Sequence, residues 1–217
     1  MPRRTSRASP SPRRSSATPR TSPCERGSKE EGYETDDAGG GDVSIQPQAN
    51  GDALAAFIAG DIDGAWVPEP FATRFIQEGD AHVLLDERDL WADGEYVTTH
   101  VIVRTAFLEE HPGVVKGLLE GLADAVDLID SDPARAKELT NQGIEAITDK
   151  PLSQEVLEAA WENLVFTLDP IASSLARSAQ SAQDVGLLDP VELDGIYDLT
   201  LLNEVLTRRG QDEVDGL

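Results

Sequence analysis

The sequence predicts an α/β fold: a partial parallel-sheet lobe followed by a helix-rich C-terminal region. Two observations carry this. Short apolar runs closed by turn residues alternate with short helical patterns up to about residue 90, as βαβ units require. After about residue 104 the apolar residues recur at helical spacing instead. At 217 residues and 39% hydrophobic composition the chain is long enough for one ordinary domain or two small lobes.

Taken in order, residues 1–28 are rich in Arg, Ser, Pro and Thr without periodicity, which predicts disorder. A Gly39–Gly41 loop precedes a strand at "DVSIQP", Asp42 to Pro47. That loop is no phosphate cradle, since no Lys-Ser/Thr follows it. Asp52 is placed to cap a short helix with Leu54, Phe57 and Ile58 on its apolar face and Gly60 as its stop. "IDGAWV" reads as a strand closed by Pro68, Phe71 to Gln77 as a helix with Gly79 just past its end, and "HVLLD", His82 to Asp86, as a third strand. One more strand is expected at Thr98 to Val103. Pro112 then opens a helix carrying Val115, Leu118, Leu119, Leu122, Val126 and Ile129 on one face. Further helices are expected from Asp132-Pro133, from Ser153 through Trp161, from Pro170 through Ala182, and from Thr200 to Arg209 before Gly210. The domain reading is 1–28 disordered, 29–97 a partial lobe of βαβ units, and 98–217 a return strand with C-terminal helices.

Composition excludes several function classes. The net charge is −23, from 41 acidic and 18 basic residues, and Arg3, Arg4, Arg7, Arg13, Arg14 and Arg20 all precede the first acid, Glu25. The remainder repels phosphates, so no nucleic-acid partner is expected. Cys24 is the single cysteine, so no internal disulfide forms. His82, His100 and His111 lack close metal-ligand spacing, and neither a metal nor a cofactor motif is found. No apolar run approaches the roughly 18 residues of a membrane span, and the Arg-rich start lacks a signal peptide's apolar segment. As written, the chain is expected to stay in the cytoplasm.

The stretch from Ala49 to Gly121, "ANGDALAAFIAGDIDGAWVPEPFATRFIQEGDAHVLLDERDLWADGEYVTTHVIVRTAFLEEHPGVVKGLLEG", resembles the substrate-binding proteins of sulfonate, nitrate and taurine ABC transporters. "FTLDPIASSLARSAQSAQDVGLL" and "LDGIYDLTLLNEVL" resemble that family's C-terminal helices. The resemblance covers about Glu30 to Val214 and implies an incomplete type II periplasmic-binding-protein fold, in which two α/β lobes enclose a ligand cleft. It also implies a small organic anion as ligand, an ABC permease in the membrane as partner, an extracytoplasmic place of work, and capture by lobe closure without enzymatic chemistry. Two other classes share the fold: the effector-sensing domain of transcription regulators, for which no helix-turn-helix is apparent, and a thiamine-pyrimidine synthase, for which no Cys/His constellation is present.

Set against the family pattern, the chain reads as N-terminally truncated. The family's opening of lobe two typically reads like "ATPQLGNTQDVALRAWL". Written in GC-rich codons and read one base out of frame, that segment can give "PPRSSATPRTSPCERGS", which differs from Pro12–Ser28 at one position. The opening stretch is therefore expected to be a wrong-frame translation. The sheet would then lack its first strand, leaving an open edge and uncovered apolar surface that impair binding and solubility.

In open α/β sheets ligands bind beyond the carboxyl ends of the strands, and "IDGAWV" ends in "PEPFATRF". Pro68 and Pro70 fix φ on either side of Glu69, so that loop is pre-positioned for a ligand. The helix amides near Phe71 and Ala72 are candidate donors to an anion. Glu69 either favours the helix dipole, pairs with Arg74, or reads an ammonium on the ligand. Trp66 walls the cleft or fills the core. Thr98, Thr99 and His100 lie where the family's chain returns to lobe one, as hinge or cleft residues, with a buried, satisfied polar role as the alternative for His100. The candidate ligand-binding residues are Trp66, Pro68, Glu69, Pro70, Thr99 and His100.

Overall fold

A computed structural model of the chain describes residues 13–17, 27–28, 31–36 and 41–217. The fold is α/β as expected. The chain divides into two compact units, Met1–His82 with Asp184–Leu187 and Val83–Gln183 with Leu188–Leu217.

The first unit holds a four-stranded parallel sheet of β1 (Arg13–Ala17), β2 (Thr35–Asp36), β3 (Val43–Pro47) and β4 (Ala65–Trp66) in the order β2-β3-β1-β4. The expectation of disorder over 1–28 and of a sheet without its first strand is corrected at β1. Arg13 to Ala17 pair with Val43 to Pro47 on one side, and Ser16 and Ala17 pair with Ala65 and Trp66 on the other. A ladder is built from backbone groups, so the slot between β3 and β4 can be filled by a segment without an apolar pattern. Apart from residues 27 and 28, the rest of 1–28 lies outside the described residues, as do Gly39 and Gly40 of the expected loop.

Gly41, at φ 77°, brings the chain back against Glu34, whose carbonyl accepts from the Asp42 and Val43 amides at 2.7 and 3.2 Å. A Cβ at Gly41 would sit 2.3 Å from that carbonyl oxygen, so only glycine fits. Ser44 and Ile45 point to opposite faces of β3 and are both buried, as in a strand covered on two sides.

Helices α1 (Asn50–Ala59) and α2 (Phe71–Gly79) pack together. Asp52 lies in the first turn of α1 rather than at its cap, while Gly60 closes the helix in the left-handed conformation as expected. Gly79 falls inside α2 and Asp80 forms the left-handed stop. The core comprises Ala53, Leu54, Ile62 and Phe75, with Phe57, Ala65 and Val67 packed on it. Each large apolar side chain buried there contributes about 1.5–3 kcal/mol.

The second unit is helical: α3 (Thr105–Glu110), α4 (Pro112–Ser131), α5 (Pro133–Thr148), α6 (Gln154–Trp161), α7 (Ala172–Asp184) and α8 (Thr200–Arg209). Pro112 opens α4, Asp132 caps α5 by accepting from the Arg135 amide, and Ser153 caps α6 by accepting from the Val156 amide. Helix α7 begins two residues later than expected and runs two further. Helix α4 packs against α5 and α8. Its seam with α8 is laced by Lys116–Glu204, Glu120–Arg208 and the pairs of Arg209 with Asp124 and Asp127. These acids and the lysine recur at helical spacing along α4, so they share one face. Leu118, expected on the apolar face, is exposed.

The two remaining expected strands do not form. His82 to Asp86 and Thr98 to Val103 are irregular, and Leu84 and Ile102 are 93% and 90% exposed. A strand exists only where another strand accepts and donates its ladder bonds, and no described strand adjoins either segment. Among the described residues no helix is long and apolar enough to cross a membrane.

The exposure of these two side chains is testable. The double variant Leu84→Lys, Ile102→Lys should bind less hydrophobic dye and aggregate less, with stability changed by no more than about 0.5 kcal/mol. A large loss of stability would instead mean that these side chains are packed. The α4–α8 seam sets a pH dependence. The hydrogen bond from Lys116, and then its charge, hold the Glu204 carboxyl below its ordinary value. Such a group stabilises the fold fully above its unfolded pKa, about 4.3, and the contribution is lost as pH falls through the lower folded value. Thermal melts on acidification below about pH 4 should therefore show a smaller decline for Glu204→Gln than for the wild type.

Candidate functional site

The candidate residues fall into two groups, one in each unit. In the first unit, Ala65 and Val67 face the core, so Trp66, between them on the alternating strand, points to the opposite side. Trp66 is half-buried and is not part of the core cluster.

Beyond Trp66 the chain turns directly into α2. The Pro68 carbonyl accepts from the Phe71 amide at 2.9 Å and from the Ala72 amide at 3.2 Å. The Glu69–Pro70 peptide bond is cis, and Pro70 has φ −82° and ψ 6°. Glu69 Oε2 accepts from the Thr73 amide at 3.0 Å, and the Pro70 carbonyl accepts from the Arg74 amide at 3.1 Å. The four first amides of α2 are thus all bound within the turn. This corrects the expectation that Phe71 and Ala72 donate to an anion, because both N–H groups point at Pro68. Glu69 takes a helix-start role. Arg74 makes its bidentate pair with Glu78, at 2.6 and 3.0 Å, one turn further along, and not with Glu69.

In the second unit, Thr98 and Thr99 are exposed and His100 is half-buried. The segment before them is held by three contacts. Trp91 and Tyr96 stack at 5.3 Å with their rings 8° apart, and the Arg177 guanidinium lies over the Trp91 ring, 5.1 Å from its centroid. The Val97 amide donates to the buried Ser174 hydroxyl at 3.1 Å, and that hydroxyl donates to the Ile171 carbonyl at 2.8 Å. Ile171 has φ 44°, an uncommon state for a β-branched residue, and its amide is secured by Asp169 at 2.7 Å. His100 Nε2 lies 2.9 Å from the Tyr197 hydroxyl, with the rings tilted by 52°. His100 therefore has a polar partner while being half-buried rather than buried.

Sequence reasoning missed Ser174 and Tyr197. Tyr197 sits in "LDGIYDLT", just before the helix expected from Thr200, where the chain turns at Gly195, φ 74°, with the Ile196 amide on the Leu193 carbonyl at 3.1 Å. The Asp194-Gly195 pair is a turn signal that could have found it.

Two concavities lie elsewhere. One of about 440 Å³ is formed by α4, α8 and the tail, around Lys116, Asn203, Glu204 and Arg208. The other, about 290 Å³, lies between α5 and α6. The lysine in each is already paired, Lys116 with Glu204 and Lys137 with Glu158.

Residues 29–142 match the NMT1-like family. Over 83 residues the chain is 37% identical to the taurine-binding periplasmic protein of Escherichia coli (strain K12), a stretch that makes up 38% of this chain and 24% of that protein. The chain thus spans about a quarter of the length of the curated relative it matches. No solved structure matches. With more than half of its length inside the family match, and with a parallel βαβ unit at the front of that match, the chain belongs to the NMT1-like family, which is of the ABC-transporter substrate-binding type and has a periplasmic-binding-protein fold.

Proposed function

We propose that the chain is the solute-binding component of an ABC importer, working outside the cytoplasm and capturing a small organic anion of the taurine or aliphatic sulfonate type. Capture proceeds by lobe closure, and the ligand passes to a membrane permease without chemistry. The observation that carries this reading is the family match over residues 29–142 together with 37% identity to a taurine-binding relative. Trp66, Pro68, Glu69 and Pro70 form the ligand-facing edge of the first unit, and Thr99 and His100 that of the second.

Glu69 favours an amino-sulfonate over a plain anion. Its carboxylate repels a sulfonate but attracts an ammonium group. Pro68 and Pro70 restrict the loop, which lowers the entropy lost on binding.

Calorimetry with taurine, ethanesulfonate and nitrate tests the reading. Taurine should bind the folded chain saturably, ahead of nitrate, and a folded chain that binds none of the three would refute the proposal. Glu69→Gln keeps an oxygen for the Thr73 amide, so its fold should persist while taurine affinity falls by about tenfold and ethanesulfonate affinity does not. Equal losses for both ligands would remove Glu69 from recognition of the ammonium. Glu69→Ala, which also loses the helix-start bond, should lower stability by about 0.5–2 kcal/mol in thermal melts.

A further inference from the structure

We infer that Tyr197 is a positioning residue: by donating its hydroxyl hydrogen to Nε2 it fixes His100 in the tautomer that carries hydrogen on Nδ1, making Nδ1–H the donor this edge presents to an anion. The part concerning a ligand rests on the proposed function. The part concerning the tautomer rests on the ligand-free protein alone.

The Tyr197 oxygen and His100 Nε2 lie 2.9 Å apart, so one hydrogen is shared between them. Two arrangements satisfy that distance, with the hydrogen supplied by either partner. A phenol is a good donor and a weak acceptor, because its lone pair is delocalised into the ring. A bare imidazole nitrogen is a strong acceptor. Burial pushes the Tyr197 hydroxyl pKa upward, so it keeps its hydrogen at neutral pH. Donation from tyrosine to histidine is therefore favoured, and it leaves the single ring hydrogen of neutral His100 on Nδ1. Among the described residues Nδ1 has no hydrogen-bond partner.

Tyr197 is held firmly enough to impose this. The Gly195 turn precedes it, and Asp198 accepts from the Thr200 amide at 3.1 Å just after it. The C-terminal tail closes over it: a Cβ at Gly216 would lie 3.4 Å from the Tyr197 Cβ. Asn203 holds that tail through two bonds with Val214, at 3.0 and 2.9 Å. A donor fixed by packing and by neighbouring bonds serves recognition better than a free one.

The test is a long-range 1H–15N correlation of the imidazole rings in the full, ligand-free chain at a pH where the rings are neutral. There are three histidines, and His100→Gln assigns the signal. His100 should show hydrogen on Nδ1 and a bare Nε2, the reverse of the form that free histidine favours. In Tyr197→Phe, which keeps the ring, the signal should change to the Nε2–H form. Hydrogen on Nε2 in the wild type, or a Tyr197→Phe spectrum with the wild-type tautomer, overturns the inference. The wild-type spectrum decides the point even if the variant does not fold. With ethanesulfonate as the probe, Tyr197→Phe should bind about tenfold more weakly. His100→Asn, whose amide reaches the place of Nδ1, should retain more affinity than His100→Gln, whose amide reaches the place of Nε2. Equal loss in both removes Nδ1 from ligand recognition. Should the wild type bind no sulfonate while its tautomer is Nδ1–H, the proposed function fails and the action of Tyr197 on His100 stands.

Discussion

The hydrogen bonds that close the exit of β4 limit what the first unit can offer a ligand. Pro68 receives two amides and Glu69 a third through its side chain, while the Arg74 amide makes the first regular helical bond, to Pro70. A helix start is ordinarily a ready anion site because its first amides lack intrahelical partners. Here the turn that enters α2 consumes them itself. Any recognition at the proposed edge would therefore have to come from side chains, not from the amides of α2.

The second unit solves a different problem. Its segment from Tyr96 to His100 belongs to no sheet, so it is secured by isolated contacts: an aromatic stack, one buried hydroxyl and one tyrosine. Beyond His100 these supports end, and Val101, Ile102 and Val103 are all exposed. The contrast shows how local the order is. A buried Ser174 bond contributes on the order of 1 kcal/mol, enough to orient a short loop but not to replace a ladder of backbone bonds.

The helices are legible in the chain's local signals. Gly60 and Gly210 stop their helices, and Ser153, Asp132 and Pro112 start theirs, because these features depend on a few adjacent residues. Strands are less legible for a corresponding reason. "HVLLD" and "VIV" have strand composition but no strand neighbour among the described residues, whereas Arg13–Ala17 has neighbours on both sides without strand composition. Pairing is a non-local property that side-chain pattern reports only indirectly. The site shows the same division: the Pro-Glu-Pro turn is visible in sequence, while Tyr197 reaches His100 across 97 residues and Ser174 reaches Val97 across 77.

Electrostatics joins these observations. A chain of net charge −23 repels any anion at long range, and several of its cations are committed elsewhere. Lys116, Arg208 and Arg209 bind α8 to α4, Lys137 joins α5 to α6, and Arg74 and Arg88 pair with acids close by in sequence. An anion held by the candidate residues would meet no lysine or arginine among them. At the proposed Thr99–His100 edge the donors are neutral, an imidazole N–H and a threonine hydroxyl, and such bonds are strong only where water is excluded. Exclusion of water strengthens such donors because the competing partner is removed and the local dielectric falls.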